Sequence, residues 1–538
     1  MMSGRRVPVL CALVAAQVTC VVAGHARPAA LATGQPSRNA APVKRTSVQD
    51  VVALVERNDV EGAARALDPL LRTRPSDPLL QNLAGVIAAQ RGEVASAERH
   101  FREAMRLAPD VPSPYLNLGR LYQEQAGRDG TAVGKALDVY QSLLARAPQQ
   151  TEARYQAAYL LVVRGDMVAA RSLLAQLPAG VRDTPQVLAL QVAVLASTGD
   201  ADGATHLATR LAAHPDFVEA DVAGLGPALA RPSSEAQGLM LLEALDRRGL
   251  ASPAGLRQLG ALQLRARRPA DARKTLERAA AAGRPDIPLL MDLARAAHAD
   301  RDFEGALGYL ARARDIDGSQ AAVHFFFGIV CIDLNLGAEA YESLQRAVEL
   351  DPENPYINYA LGAVAIHRHE PSESLPYFEK YIRLRPDDPR GRFALGAATF
   401  YSKLFDQARP HLQAAAAHDE TKAGALFFLG RIARQLNDLP EAERQLQAAL
   451  AAEPKHAEAW AELGLVQMRM GRYADSEASM LKAQSIDPDN YSAILNLATL
   501  YQRTGDPRAD TQAARLAAAQ EHREARAQEF LRIVQVVP

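Results

Sequence analysis

Few residues of this chain are of the types that catalyse reactions, and they are scattered. Cys11 and Cys20 lie in an N-terminal segment assigned below to a signal peptide, which leaves Cys331 as the one thiol of the mature chain. Cys331 follows Phe325-Phe-Phe-Gly-Ile-Val on the inward face of a predicted helix. That setting favours a buried, inert thiol over a nucleophile.

The histidines do not form a metal-binding pattern either. His367 and His369 are two residues apart, which points them to different sides of a helix, and no cluster of carboxylates or cysteines accompanies them. The sequence contains no Gly-x-Ser-x-Gly elbow, Walker loop, His-Glu-x-x-His or dinucleotide fingerprint. We therefore expect no enzyme activity, no metal and no cofactor, and the sequence favours binding.

The glycine-rich segment Gly127-Arg-Asp-Gly130-Thr-Ala-Val-Gly134 has two interpretations. One is a loop that cradles a phosphate with backbone amides. The other is a lengthened turn, which we favour because no Lys-Ser/Thr pair follows the glycines and no strand precedes them.

Side chains suited to binding recur with a fixed period. An aromatic residue stands three positions before a glycine four times, 34 residues apart: Phe325, Tyr359, Phe393 and Phe427. The glycines continue for one more unit: Gly328, Gly362, Gly396, Gly430 and Gly464. Such self-similarity indicates an internal repeat, and the repeat decides the architecture.

Each unit has the pattern of two helices joined by a tight turn. A small residue follows each glycine by twelve positions: Ala340, Ser374, Ala408, Ala442 and Ser476. Apolar residues within each half are spaced three and four apart, as on one face of a helix. Proline ends four of the five units, because it cannot continue the second helix: Pro352, Pro386, Pro454 and Pro488. Two helices cross closely only where side chains are small, so the glycine and the Ala or Ser are expected at the crossing.

The unit Trp460-Ala-Glu-Leu463-Gly464, continued by Ser476, Met480, Ala483 and Pro488, resembles the tetratricopeptide repeat family. The second small position can be followed back along the chain as far as Ala63. The resemblance implies an all-α, right-handed α-solenoid of about fourteen hairpins, followed by a C-terminal capping helix.

We expect five segments along the chain. They are a signal peptide at 1–26, a flexible linker at 27–45, degenerate repeats at 46–320, regular repeats at 321–510, and a capping helix with a tail at 511–538.

The N-terminal segment indicates export. Arg5 and Arg6 precede an apolar run from Val7 to Val22, and small residues lead to an expected cleavage site after Ala26. An uncleaved anchor and a lipoprotein are the alternatives. Only eight of the 61 basic residues are lysine, which we interpret as the codon bias of a GC-rich bacterium. We therefore predict a bacterial protein of the periplasm or cell envelope.

Two features predict local irregularity. Gly224, Gly226, Pro227 and Pro232 crowd one first helix, which should be short or bent. Pro376 and Pro410 lie a few residues into second helices, and we expect those two helices to begin late.

The resemblance also implies a concave wall lined by one face of the first helices. The candidate groove residues are Phe325, Tyr356, Tyr359, His367, Arg390, Phe393, Phe400, Tyr401, Phe427, Arg431 and Arg434. Aromatic anchors flanked by arginines suit an extended or helical peptide that carries carboxylates. The alternative is that the aromatics only shield neighbouring helices. Family members that clamp a terminal carboxylate carry lysine and asparagine here, where this chain has Phe325, Tyr359, Ala363 and Ala397, which disfavours that mode.

The expected function is therefore a non-enzymatic scaffold or adaptor with a protein or peptide partner and no direct small-molecule substrate. A formal charge of −1 gives no reason to expect nucleic acid or an anionic membrane surface as a partner. One alternative is a subunit of an envelope assembly, secretion or polysaccharide-export machine. A less favoured alternative is the substrate-binding arm of an enzyme.

Overall fold

A computed structural model describes residues 47–521. The expected signal peptide, the linker and the end of the tail, 522–538, lie outside the described residues. Every regular element between residues 47 and 521 is a helix, as the repeat pattern predicts. The described residues divide after Leu262 into two compact units.

The first unit consists of short helices that follow each other closely along the chain. Their bounds are α1 Val48–Glu56, α2 Val60–Thr73, α3 Pro78–Gln90, α4 Val94–Leu107, α5 Pro112–Gln125, α6 Ala132–Arg146, α7 Thr151–Arg164, α8 Met167–Ala175, α9 Ala179–Arg182, α10 Pro185–Ser197, α11 Ala201–Ala212, α12 Ala220–Ala223, α13 Gly226–Leu229 and α14 Glu235–Arg247. The division between the units falls within α15, Pro253–Arg265.

The second unit has a more even spacing. Its helices are α16 Pro269–Ala281, α17 Ile287–Ala299, α18 Phe303–Ile316, α19 Ala321–Asp333, α20 Gly337–Leu350, α21 Pro355–His367, α22 Pro371–Leu384, α23 Pro389–Tyr401, α24 Phe405–Ala415, α25 Asp419–Gln435, α26 Leu439–Ala452, α27 Ala457–Arg469, α28 Tyr473–Ile486, α29 Tyr491–Thr504 and α30 Ala509–Glu521.

Consecutive helices pack as hairpins within each unit. In the first unit the pairs are α1/α2, α3/α4, α5/α6, α7/α8 and α10/α11, and α14 packs on α11 and α13. In the second unit the pairs run from α17/α18 to α29/α30, and each hairpin also packs on the next. The expected solenoid class of helical hairpins is confirmed.

The first helix of each regular hairpin crosses the second at its glycine. A methyl group added to Gly328 would lie 2.6 Å from Leu344, and one added to Gly396 would lie 2.7 Å from Leu412. The five small residues of the second helices are fully buried: Ala340, Ser374, Ala408, Ala442 and Ser476. The two helices therefore approach more closely than any side chain at the glycine would allow.

The turn inside each hairpin has a left-handed residue. Between α15 and α30 a positive φ recurs every 34 residues, at Arg267, Arg301, Asn335, His369, Lys403, Asn437, Gly471 and Gly505. Glycine adopts this conformation without strain, whereas arginine, histidine and lysine do not. The periodicity of the turn thus persists even where the residue type does not.

The turn between hairpins is held by a hydrogen bond across six residues. Its donor stands four positions before the glycine position of the hairpin, and the acceptor is often the carbonyl of the closing proline. Trp460 Nε1 donates to Pro454 O at 3.0 Å, Asn358 Nδ2 to Pro352 O at 2.9 Å, and Tyr115 Oη to Pro109 O at 3.1 Å. Different side chains therefore donate to the carbonyl at the same position of this turn.

Two irregular regions of the first unit have the form that their sequence predicts. Two helices of four residues, α12 and α13, replace the first helix that Gly224 and Pro227 were expected to shorten or bend. The glycine-rich segment forms a long turn between α5 and α6. In that turn Asp129 accepts hydrogen bonds from Thr131 N at 2.8 Å and Lys135 Nζ at 3.0 Å. The favoured interpretation, a lengthened turn, describes this segment.

The expectation for Pro376 and Pro410 was wrong. Each proline lies inside its helix, because α22 begins at Pro371 and α24 at Phe405. Both prolines are exposed and within the first two turns. The single hydrogen bond that each removes therefore frees a carbonyl near the start of the helix, where water can reach it.

The expected capping helix is present over Ala509–Glu521 and packs on α29. It takes the place of a second helix in the last hairpin. The rest of the predicted capping helix and tail, 522–538, lies outside the described residues.

Replacing Lys403 by glycine should stabilise the second unit. Lys403 has φ of 61°, a conformation that costs a residue with a Cβ atom roughly 1–2 kcal/mol. Glycine removes that strain but gains freedom in the unfolded chain, so we expect a net gain of up to about 1 kcal/mol. Urea denaturation followed by circular dichroism measures this change in the free energy of unfolding.

Lys403→Ala is the matched control, because alanine keeps the Cβ atom and should bring no gain. A Lys403→Gly variant less stable than the parent protein would contradict the strain argument.

Candidate functional site

The predicted aromatic register lies on the first helices of the second unit but is mostly covered. Tyr359 and Phe393 are each 5% exposed and Phe427 is 9% exposed, while Phe325 is half-buried. We call these four residues the aromatic layer. Three of its four rings offer a partner little surface.

The rings of the aromatic layer fill space between neighbouring helices. The ring centroid of Tyr359 lies 4.9 Å from that of Tyr381 and 5.5 Å from that of Phe378, both on α22. Phe393 packs over Gly424 of the next first helix, where an added methyl group would lie 2.9 Å from the ring. These contacts correspond to the alternative in which the aromatic residues shield neighbouring helices. A role of the aromatic layer in binding stays a prediction.

Arg390 is neutralised by a carboxylate two residues away. Its Nη2 lies 2.7 Å from Asp388 Oδ2 and its Nε lies 3.0 Å from Oδ1, while the Tyr381 hydroxyl donates to Oδ2 at 2.6 Å. Burial opposes ionisation of Asp388, but the hydrogen bonds from Arg390 and Tyr381 outweigh it and lower the pKa of Asp388 to about 2. The charge of Arg390 is therefore used within the fold.

Arg434 is neutralised too. Its Nε forms an ion pair with Glu462 of α27, and the two side chains are only 10% and 13% exposed. This pair links two consecutive first helices, since Arg434 lies on α25. A buried pair of this kind is costly to break, because the remaining charge would lack a partner.

Arg431 differs from both. Its guanidinium carbon lies 4.7 Å from the ring centroid of Phe400, 5.5 Å from Phe427, 5.8 Å from Phe428 and 6.0 Å from Tyr401. We call these five residues the Arg431 cluster. Arg431 forms no ion pair with any residue between 47 and 521, and its buried Nε has no hydrogen-bond acceptor there. The cluster therefore holds a partly buried positive charge that no carboxylate among residues 47–521 neutralises.

The remaining predicted residues are more accessible. Tyr356 is 37% exposed, and its hydroxyl accepts a hydrogen bond from Arg385 Nη1 at 3.2 Å. Tyr401 is 38% exposed at the end of α23. His367 is half-buried at the end of α21. These side chains lie on consecutive first helices but not in one cluster.

Sequence reasoning missed two residues of this region. Phe428 contributes a ring to the Arg431 cluster, and Glu462, at the same register position one unit later, neutralises Arg434. The repeat register could have indicated both residues, since Phe428 and Glu462 each stand two positions before a repeat glycine.

Cys331 belongs to the apolar core of the second unit. Cys331 is fully buried, and its burial raises the pKa of its thiol to about 11. Among residues 47–521, no three His, Cys, Asp or Glu side chains come together as ligands for a metal ion. None of the helices described there is long and apolar enough to span a membrane.

The stacked hairpins define a helical repeat protein, and comparison with known families specifies which kind. Sequence profiles of the tetratricopeptide repeat match residues 51–112, 131–194, 257–321, 332–389, 393–447 and 429–491. The chain belongs to the tetratricopeptide repeat family. Membership supports a protein–protein interaction scaffold as the class of function.

Several solved structures are similar to the chain. The Cut9–Hcn1 hetero-tetramer of APC/C has a chain with 16% identity, covering 87% of this chain and 98% of its own, at a TM-score of 0.39. Yeast Tom70 has 16% identity over 86% of this chain and 96% of its own, at 0.37. YrrB, a TPR protein with an unusual peptide-binding site, has 21% identity over 41% of this chain and 95% of its own, at 0.26. No curated protein matches the chain.

Replacing Asp388 by asparagine should destabilise the second unit by about 1–3 kcal/mol, because Arg390 would lose its partner. Asparagine can still cap α23, so the change isolates the charge. The folded pKa of about 2 lies below the ordinary value of 3.8. The stabilisation is therefore complete well above pH 4 and is lost as the pH falls towards 2.

Urea denaturation at pH 7, 4 and 3 gives the free energy of unfolding of the parent protein and of Asp388→Asn. The difference between these two free energies should shrink on acidification. Glu353→Gln is the control, since that carboxylate is 70% exposed. Removing its charge should change the free energy of unfolding by no more than about 0.5 kcal/mol. A difference between parent and Asp388→Asn that stays constant from pH 7 to pH 3 would refute the assignment.

Proposed function

We propose that this chain is an exported, non-enzymatic adaptor that binds a protein or peptide segment on the first-helix face of its second unit. The class of scaffold follows from the family, whereas the face and the location are proposals. The face carries the Arg431 cluster, which includes the exposed Tyr401, and a further exposed tyrosine, Tyr356.

The observation that carries the proposal is the concentration of aromatic surface and unneutralised positive charge on these helices. Tyrosine and arginine are enriched among the residues that dominate binding energy at interfaces. Each exposed tyrosine lies beside an arginine: Tyr356 beside Arg385, at 5.8 Å from ring centroid to guanidinium carbon, and Tyr401 beside Arg431. Such pairs present an apolar ring and a hydrogen-bonding group together.

Replacing Tyr356 and Tyr401 by alanine should weaken partner capture without unfolding the protein. Both rings are more than a third exposed, so their loss leaves the buried aromatic layer in place. We expect an affinity loss of at least about tenfold. The measurement is quantitative pull-down of the partner recovered from a native envelope extract, with thermal unfolding as the check on folding.

Tyr473→Ala is the matched control, because Tyr473 is 41% exposed but lies on a second helix, α28. If the double variant and the control lose affinity equally, or if neither loses affinity, the binding surface does not lie on the first helices.

Export predicts a specific mature N-terminus. Cleavage after Ala26 would leave Arg27 as the first residue. Intact-mass analysis of the protein purified from its native host should therefore give the mass of 27–538. Recovery in the soluble periplasmic fraction supports a free adaptor, whereas recovery with membranes supports a subunit of an envelope assembly. An unprocessed chain that begins at Met1 and stays in the cytoplasm would contradict export.

A further inference from the structure

Arg431 differs from the residues at the same register position in the adjacent units. The equivalent positions in the two preceding units hold Ala363 and Ala397, both fully buried, and the following unit has Leu465. Arginine recurs at this register position in Arg295, but Arg295 is paired with Asp292, whereas Arg431 has no carboxylate partner among residues 47–521. An unpaired charge at a position where the adjacent units place apolar side chains is expected at a functional site.

The surroundings of Arg431 do not satisfy its charge. The four rings of the cluster provide cation–π attraction, which is weaker than the hydration and hydrogen bonding that a free guanidinium has in water. The Nε of Arg431 is buried without an acceptor among residues 47–521, although Arg390 and Arg434 on the same face have theirs. The guanidinium therefore interacts more strongly with an incoming anion than an exposed arginine would.

We propose that Arg431 binds the side-chain carboxylate of an aspartate or glutamate inside a partner segment. This inference rests on the proposed function and specifies its ligand. A carboxylate offers two oxygens and one charge, which match a single guanidinium, and the exposed ring of Tyr401 contacts the apolar neighbours of that acid.

Other anions fit less well. Arg390 and Arg434 are already neutralised, so a phosphate dianion would find only one unpaired charge in the Arg431 cluster. A terminal carboxylate is disfavoured because Ala363 and Ala397 stand where lysine and asparagine would be needed. An internal acidic side chain is therefore the occupant that charge and composition favour.

A peptide display library fused at its C-terminal end provides the test, since such peptides have no free carboxyl terminus. Selection on the full chain should enrich aspartate or glutamate at one fixed position of the peptides. Selection on Arg431→Gln should lose that enrichment, and selection on Arg444→Gln should keep it. Arg444 is the matched control, because it is 73% exposed on a second helix and is paired with Glu441.

Affinities measured by fluorescence anisotropy then quantify the contact. For a selected peptide that is acetylated and amidated, we expect Arg431→Gln and a glutamate-to-glutamine change in the peptide each to weaken binding on the order of tenfold. The two changes together should cost little more than either alone, because both remove the same contact. Arg431→Lys keeps the charge but loses the bidentate geometry, so its loss should be intermediate.

The outcomes separate two kinds of failure. Selected peptides that bind without any acid preference, or equally well to Arg431→Gln, overturn the carboxylate assignment while leaving the binding scaffold intact. The absence of any selected peptide overturns both. Should Arg431→Gln fail to fold by circular dichroism, the glutamine peptide on the parent protein decides, since equal affinity for both peptides overturns the assignment.

Discussion

The close crossing of two helices at a glycine is the constraint on which the rest of the structure depends. Gly328 and Gly396 lie against the side chains of Leu344 and Leu412 with no room for a methyl group. A hairpin made this way buries only one side of each helix, so its other apolar side chains need the neighbouring hairpin. Stacking within each unit is therefore a requirement of the sequence, because a lone hairpin would leave much of that surface in water.

The sequence predicts the architecture because that constraint repeats. Five glycines at a period of 34 residues, each followed by a buried small residue, reveal the hairpins without any knowledge of contacts. The four-residue helices near Gly224 could be predicted as well, since glycine and proline act locally. Pro376 and Pro410 could not, because a helix tolerates a proline in its first turns when the rest of it is held by packing.

Positions can also keep their chemistry while the residue type changes. Tryptophan, tyrosine and asparagine all donate to a carbonyl six residues earlier, and arginine, histidine and lysine occupy the same left-handed turn as glycine. Neither feature is visible in composition, because the shared property is a hydrogen bond or a backbone angle. Only the period of the repeat relates such positions to each other.

The candidate site was less predictable than the fold. The register correctly identified the helices that carry the aromatic residues, but exposure depends on what the next hairpin places opposite each ring. Phe393 is covered because Gly424 lets the next helix approach. Arg390 finds its carboxylate two residues away, within reach of sequence reasoning, whereas the partner of Arg434 is 28 residues away on another helix.

A repeat array tolerates a local exception such as Arg431 because each hairpin depends only on its neighbours. The cost of placing a guanidinium where preceding units bury alanine stays within α23 and α25, which supply the four surrounding rings. Those rings belong to the same packing layer that joins the hairpins, as the contact of 5.9 Å between the ring centroids of Phe393 and Phe428 shows. The interaction that stabilises the stack therefore also fixes the position of the Arg431 guanidinium.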